Sequence, residues 1–183
     1  MLDKHQNHQT RPHHGHHPLP WRPAPPMRPQ RPPHWPLPPH PPRPPQYPTG
    51  IDYGSHPFVV DINKTTLNNE NFRAVLWTGR HLQLTLMHIE VGDDIGLEVH
   101  PHVDQFLRIE EGQALVMMGD DPNHLTFRQP AYDDFAILVP AGTWHNIINT
   151  GKKPLKVYSI YAPPNHPKGA IHATKAIAEK MEA

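Results

Sequence analysis

The sequence predicts an all-β domain over residues 55–165, a sandwich or closed barrel, set between a disordered tail at residues 1–50 and a helical tail at residues 168–183. Three observations predict it. From Ser55 onward, short apolar segments recur, some with period-two alternation, and turn residues separate them. There are at least eight such segments, which suits a sandwich or a closed barrel. Composition then changes sharply on the N-terminal side, where residues 1–50 hold 17 of the 26 prolines.

The tail comes first. It contains 8 of the 17 histidines, and Lys4 and five arginines stand against the single acid Asp3. Proline removes backbone donors and favours extended polyproline II, and too few apolar residues are present to offset chain entropy. The plain expectation is a solvated extension. The clusters at His13-His14 and His16-His17 also suit loose binding of metal ions, and Trp21 and Trp35 among prolines and arginines suit docking on a surface layer.

The strands follow in order: Phe72–Trp77, His81–Val91, Phe106–Ile109, Ala114–Met118, Leu125–Phe127, Phe135–Val139, His145–Ile148 and Leu155–Tyr161. In the second, Leu82, Leu84, Leu86 and His88 share one face. Gly92-Asp93-Asp94 and Gly119 to Asn123 are turn signals, and Glu110-Glu111-Gly112 reads as a hairpin turn. Phe72–Trp77 is a candidate edge strand for a homodimer. Ala170–Glu182 is rich in Ala, Lys and Glu and reads as a helix anchored by Ile171 and Ile177.

Whole-chain properties exclude several classes. Lys+Arg and Asp+Glu each total 17, and this neutrality argues against a nucleic-acid binder. The absence of cysteine excludes disulfides and thiolate metal sites. No apolar run is long enough for membrane insertion, and the N-terminus has no signal-like apolar segment, so a cytoplasmic location is expected.

Two stretches carry the chemistry. In Gly96-Leu97-Glu98-Val99-His100-Pro101-His102-Val103-Asp104-Gln105, strand alternation puts Glu98, His100 and His102 on one face. Three polar groups facing a barrel interior imply a metal or a hydrogen-bond network. In Pro140-Ala141-Gly142-Thr143-Trp144-His145, a tight turn precedes a strand that begins with a third imidazole. Three imidazoles from two strands can hold a first-row metal and leave positions open.

These stretches resemble the two motifs of the cupin superfamily, G-x5-H-x-H-x3,4-E-x6-G and G-x5-P-x-G-x2-H-x3-N, and look like those of small single-domain bacterial cupins. The second fits from Pro140 to Asn149, with Asp134 in place of its leading glycine. The first keeps His100-x-His102 and the closing Gly112, but Gln105 replaces the glutamate one position early, and no glycine stands six residues before His100. The resemblance implies a double-stranded β-helix, an RmlC-like jelly-roll barrel. It makes His100, His102 and His145 ligands of a divalent cation (Mn, Fe, Zn or Ni), with Gln105 in the fourth place. Glu98 would supply the missing carboxylate or act as a general base. The expected function is a metal-binding cupin for a small anionic or oxygen-rich ligand, with isomerase, lyase or dioxygenase chemistry as the enzymatic form. The alternative is a structural, spore-coat-like cupin attached through its tail.

Overall fold

A computed structural model describes residues 47–182. The suggested roles of the His/Pro-rich tail in metal buffering and surface attachment fall on residues 1–46 and lie outside the described residues. Nine strands form two antiparallel sheets. They are β1 (Arg73–Thr78), β2 (Gln83–Ile89), β3 (Asp104–Glu111), β4 (Gln113–Gly119), β5 (Phe127–Tyr132), β6 (Ala136–Val139), β7 (Trp144–Asn149), β8 (Leu155–Ala162) and β9 (Ile171–His172). The larger sheet runs β6-β3-β8-β2-β1-β9 and the smaller β5-β4-β7. One apolar core draws on both: Met87, Leu107, Ile109 and Val157 from the larger, Ala114, Val116, Ala131 and Ile147 from the smaller. This is the expected jelly-roll barrel.

Two helices flank the strands. Helix α1 (Ile62–Leu67) packs on the β3 and β8 side of the larger sheet. It is short, and its one strong sequence signal is the Asp61 N-cap, whose carboxylate accepts from the Lys64 amide. Helix α2 (Lys175–Glu182) starts later than the composition suggests. Ile171 and His172 are instead taken up as β9, opposite Ala74 and Arg73. Ile171 and Ile177 are both exposed, and Ala178 is the residue buried against the core. Among the described residues, no helix is long and apolar enough to cross a membrane.

Two local expectations are corrected, and the inner face of β2 is defined. Glu110-Glu111-Gly112 is no hairpin turn, because β3 and β4 belong to different sheets. Gly112, at φ +112°, passes the chain from one sheet to the other, and a Cβ there would lie 3.1 Å from the Leu155 Cα. Leu84, Leu86 and His88 do share a face of β2, and it is the outer one: Gln83, Thr85, Met87 and Ile89 point inward and are almost wholly buried, while on the outer face Leu86 is also buried. Strand β1 is not an open edge. It is paired on both sides, by β2 and β9, and the Trp77 indole donates to the His56 carbonyl.

Candidate metal centre

The site begins with an irregularity in strand pairing. Residues 93–98 run antiparallel to β7, with Asp94 opposite Ile148 and Glu98 opposite His145. Between these bridges one chain advances four residues and the other three, so the first carries one extra residue. Gly96, at φ +91°, sits within that bulge. Glu98 and His145 then exchange both backbone hydrogen bonds, at 3.1 and 2.9 Å, and their side chains share a face. Without the extra residue Leu97 would stand opposite His145. Two residues further on, the His100 carbonyl accepts from the Gly142 amide at 2.9 Å, fixing His100 beside the turn that leads into His145.

The donor atoms converge. Glu98 Oε1 lies 3.3 Å from His100 Nε2 and 3.3 Å from His145 Nε2. Ligand atoms of these three side chains all fall within 4.8 Å of one another. His145 is fully buried, and its Nδ1 lies 3.0 Å from the Thr143 carbonyl oxygen. A carbonyl only accepts, so Nδ1 carries a proton, and Nε2, facing the carboxylate, offers a lone pair to a cation or, on a protonated ring, an N–H to Glu98. That nitrogen makes no well-formed hydrogen bond, despite its closeness to Glu98. A lone pair facing a carboxylate oxygen is unfavourable unless a cation or proton stands between them.

Glu98 is held from its other side as well. Its Oε2 is 3.6 Å from Nη2 of Arg73, a guanidinium that is 1 % exposed. Burial opposes ionisation of Glu98, but the imidazoles of His100 and His145 and the charge of Arg73 more than offset it. They keep the carboxyl far below its usual range.

Gln105 reaches the same region from β3. It is Cα partner to Tyr161 on β8, so the two side chains share the inner face, and the His100 ring lies edge-on to the Tyr161 ring at 5.5 Å. Gln105 Nε2 donates to Ser159 Oγ at 3.0 Å, while the buried Oε1 has no partner among the described residues. A buried amide oxygen left without a donor is costly, and a cation would satisfy it.

Of the expected site residues, the structure brings Glu98, His100 and His145 together and places Gln105 on the inner face beside Tyr161. It does not bring in His102, which is exposed on a turn. The reason is Pro101. Pro101 and His102 form that turn, with the Val103 amide 3.5 Å from the His100 carbonyl, so the alternation counted from Glu98 stops at His100. Arg73 was not foreseen. Its signal was a single cation in the otherwise apolar run Phe72-Arg73-Ala74-Val75-Leu76-Trp77.

Comparison with known proteins places this geometry in a family. Residues 85–161 match the model of the cupin domain. The YrkC protein of Bacillus subtilis (strain 168), described as uncharacterized, is 63% identical over 131 residues, covering 72% of this chain and 70% of that one. The chain belongs to the cupin family. The cupin is also similar to protein L612 of Acanthamoeba polyphaga mimivirus, 41% identical over 117 residues, which are 62% of this chain and 70% of that one. A crystal structure of BH2720 from Bacillus halodurans matches it with 62% identity and a TM-score of 0.71, covering 71% of this chain and 98% of the other.

In this cupin the cluster opens outward through a cleft of about 490 Å³, lined by Glu98, His100, His166, Lys168, His172 and Met181 among others. The wall at 165–166 is fixed by the buried Gln83. Its Oε1 accepts from the amides of Asn165 at 3.2 Å and His166 at 2.8 Å, and its Nε2 donates to the His166 carbonyl at 2.9 Å. The donor set of two imidazole nitrogens and one carboxylate oxygen fits a divalent first-row cation. Lys168 gives the cleft wall a positive charge, and Arg73 lies buried behind Glu98.

Proposed function

We propose that this cupin holds one divalent first-row cation between Glu98, His100 and His145, with Gln105 as a fourth donor, and binds a small anionic or oxygen-rich ligand in the cleft above it. One observation carries the reading: Glu98 Oε1 stands 3.3 Å from Nε2 of both imidazoles, while Nδ1 of His145 is committed to the Thr143 carbonyl. That arrangement turns electron-pair donors toward a common point. Imidazole and carboxylate donors suit manganese, iron, zinc or nickel. A bound cation would supply Lewis acidity toward a carbonyl, hydroxyl or carboxylate oxygen. Glu98 would cancel one of its two charges, and Gln105 and the histidines none, so the centre stays cationic and favours an anion. Lys168 in the wall acts in the same sense.

Within this reading Glu98 is a donor to the cation and not a general base. Its Oε1 faces the two imidazoles and its Oε2 faces Arg73, which leaves neither oxygen to take a proton from a ligand. His166, whose backbone is held by Gln83, also lines the cleft.

Elemental analysis of the full chain, stripped with chelator and reloaded, tests the proposal. After gel filtration removes ions held loosely by the histidine-rich tail, about one cation per chain is expected to remain. Glu98→Gln and His145→Ala should each weaken binding by at least about tenfold, in line with loss of one charged or imidazole donor. His102→Ala should leave it unchanged. Failure of the wild type to retain any divalent cation would refute the reading, and loss of the cation in His102→Ala would refute the donor set.

A further inference from the structure

We infer that Arg73 restricts Glu98 to a single donor oxygen and weakens the grip of the site on its cation, which leaves the cation charge and open positions for an anionic ligand. The inference rests on the metal-binding reading above and assigns a positioning role to a residue outside both sequence motifs.

A buried guanidinium is an unexpected neighbour for a cation site. Arg73 lies in β1 with Met87 as its Cα partner on one side and His172 on the other, and it is 1 % exposed. Taking a guanidinium out of water is expensive unless an anion pairs with it. An apolar residue at that place would continue the pattern of Ala74, Val75 and Leu76 at no such cost. One anion that Arg73 meets is Glu98, through Oε2 at 3.6 Å, while Oε1 of the same carboxylate is the atom equidistant from the two imidazoles. The two oxygens thus face different partners, Oε2 the guanidinium and Oε1 the pair of imidazoles. A carboxylate so divided offers a bound cation one oxygen, and part of its charge is already offset by the guanidinium. Arg73 sits on the far side of Glu98 from the imidazoles and does not compete for the cleft, because the cleft lining contains Glu98 and His100 but not Arg73.

The distinguishing consequence is one of sign. Removing a residue that merely supports the fold loosens metal binding, whereas removing Arg73's charge should tighten it. In the full-length protein, stripped of metal and titrated with Co²⁺ by calorimetry at fixed pH and ionic strength, Arg73→Gln should bind Co²⁺ about tenfold more tightly than wild type. Arg73→Lys, which keeps the charge, should stay within about threefold of wild type. In a Glu98→Gln background the tightening should vanish. Weaker or unchanged binding in Arg73→Gln overturns the inference. If that variant does not fold, the wild type decides: the infrared carboxylate bands of the Co²⁺-loaded protein should show the wide splitting of one-oxygen coordination, and a narrow, chelated splitting overturns the inference. A wild type that binds no Co²⁺ overturns the metal-binding reading and the role of Arg73 together. A wild type that binds Co²⁺ normally while Arg73→Gln shows no tightening overturns the role of Arg73 alone.

Discussion

Gln105 puts an amide where an apolar inner face would cost nothing, and the structure satisfies only half of it. Nε2 is bonded to Ser159, and Oε1 is buried without a partner. A leucine there would remove the orphaned oxygen at the expense of one ordinary hydrogen bond, so the metal-free stability of Gln105→Leu should stay within about 1 kcal/mol of wild type. Its cation affinity should fall by about tenfold or more, because the fourth donor is gone. Gln105→Glu should do the opposite: tighter cation binding, and a lower melting temperature without metal, since a second carboxylate would be buried beside Glu98. Paired calorimetric titrations and thermal melts check both. At this scale the sequence was informative where residue type and spacing alone define the role. His100 and His145 were legible from the two motifs. Asp134, standing where the motif has glycine, was legible as a departure and has a physical account: it adopts φ 70°, the left-handed region that glycine and, among others, aspartate tolerate. His102 lies outside the cluster because the alternation stops at Pro101, and Arg73 was missed because Glu98, a residue it meets, is 25 residues away along the chain.

Strands were easier to read than the joints between them. Seven of the eight longer strands lie where apolar patterns and turn residues put them, because burial of one face fixes a strand's pattern locally, whereas β5 shares only Phe127 with the expected segment Leu125–Phe127 and has a mostly exposed pattern. What lay beyond reach was set by pairing between distant segments: the bulge at Gly96, the corner at Gly112 and the capture of Ile171-His172 by β1. The same kind of long-range tie fixes the wall of the cleft. Asp52 accepts from the Gly54 amide at 2.8 Å, the Thr78 amide at 3.0 Å, the Thr78 hydroxyl at 2.6 Å and the Gly169 amide at 3.0 Å, so one carboxylate joins the segment before α1, the end of β1 and the loop that lines the cleft. Burial raises the pKa of Asp52, but these four donors more than offset it and hold the carboxyl below its ordinary value. A group with a depressed folded-state pKa adds stability that is present above its unfolded value, about 3.9, and is lost as pH falls below it. Asp52→Asn should therefore cost about 1–2 kcal/mol at pH 7 and less near pH 3. Urea denaturation at the two pH values measures the difference; an equal loss at both would show that the charge on Asp52 contributes nothing.

Across the whole molecule, the inward residues of the larger sheet form rows that change character from one end of the barrel to the other. Gln83, Tyr161 and Gln105 make the first row, and Thr85, Ser159 and Leu107 the next. Met87, Val157 and Ile109 make the third, and Ile89 with Leu155 closes the apolar end. No single strand reveals this, since β2 and β3 read as one or two polar residues followed by apolar ones and β8 reads in the reverse order; only the antiparallel register stacks like with like. The polar end carries the donor cluster and the cleft, and the apolar end supplies the packed core. Stability and cation binding should then be separable by position. Ile109→Ala, at a residue with no exposure, should leave a cavity and cost about 2–5 kcal/mol. Its affinity for a divalent cation should remain within about twofold of wild type, because none of the donors touches that row. A cation at a hundred times its dissociation constant stabilises a folded protein by about 2.7 kcal/mol, so loaded and stripped forms of both wild type and Ile109→Ala should differ in melting temperature by the same several degrees. Thermal melts with and without metal measure that increment. If the increment disappears in Ile109→Ala while the variant still folds, the apolar end is holding the donors in place, and the division of the barrel into a core half and a binding half is wrong.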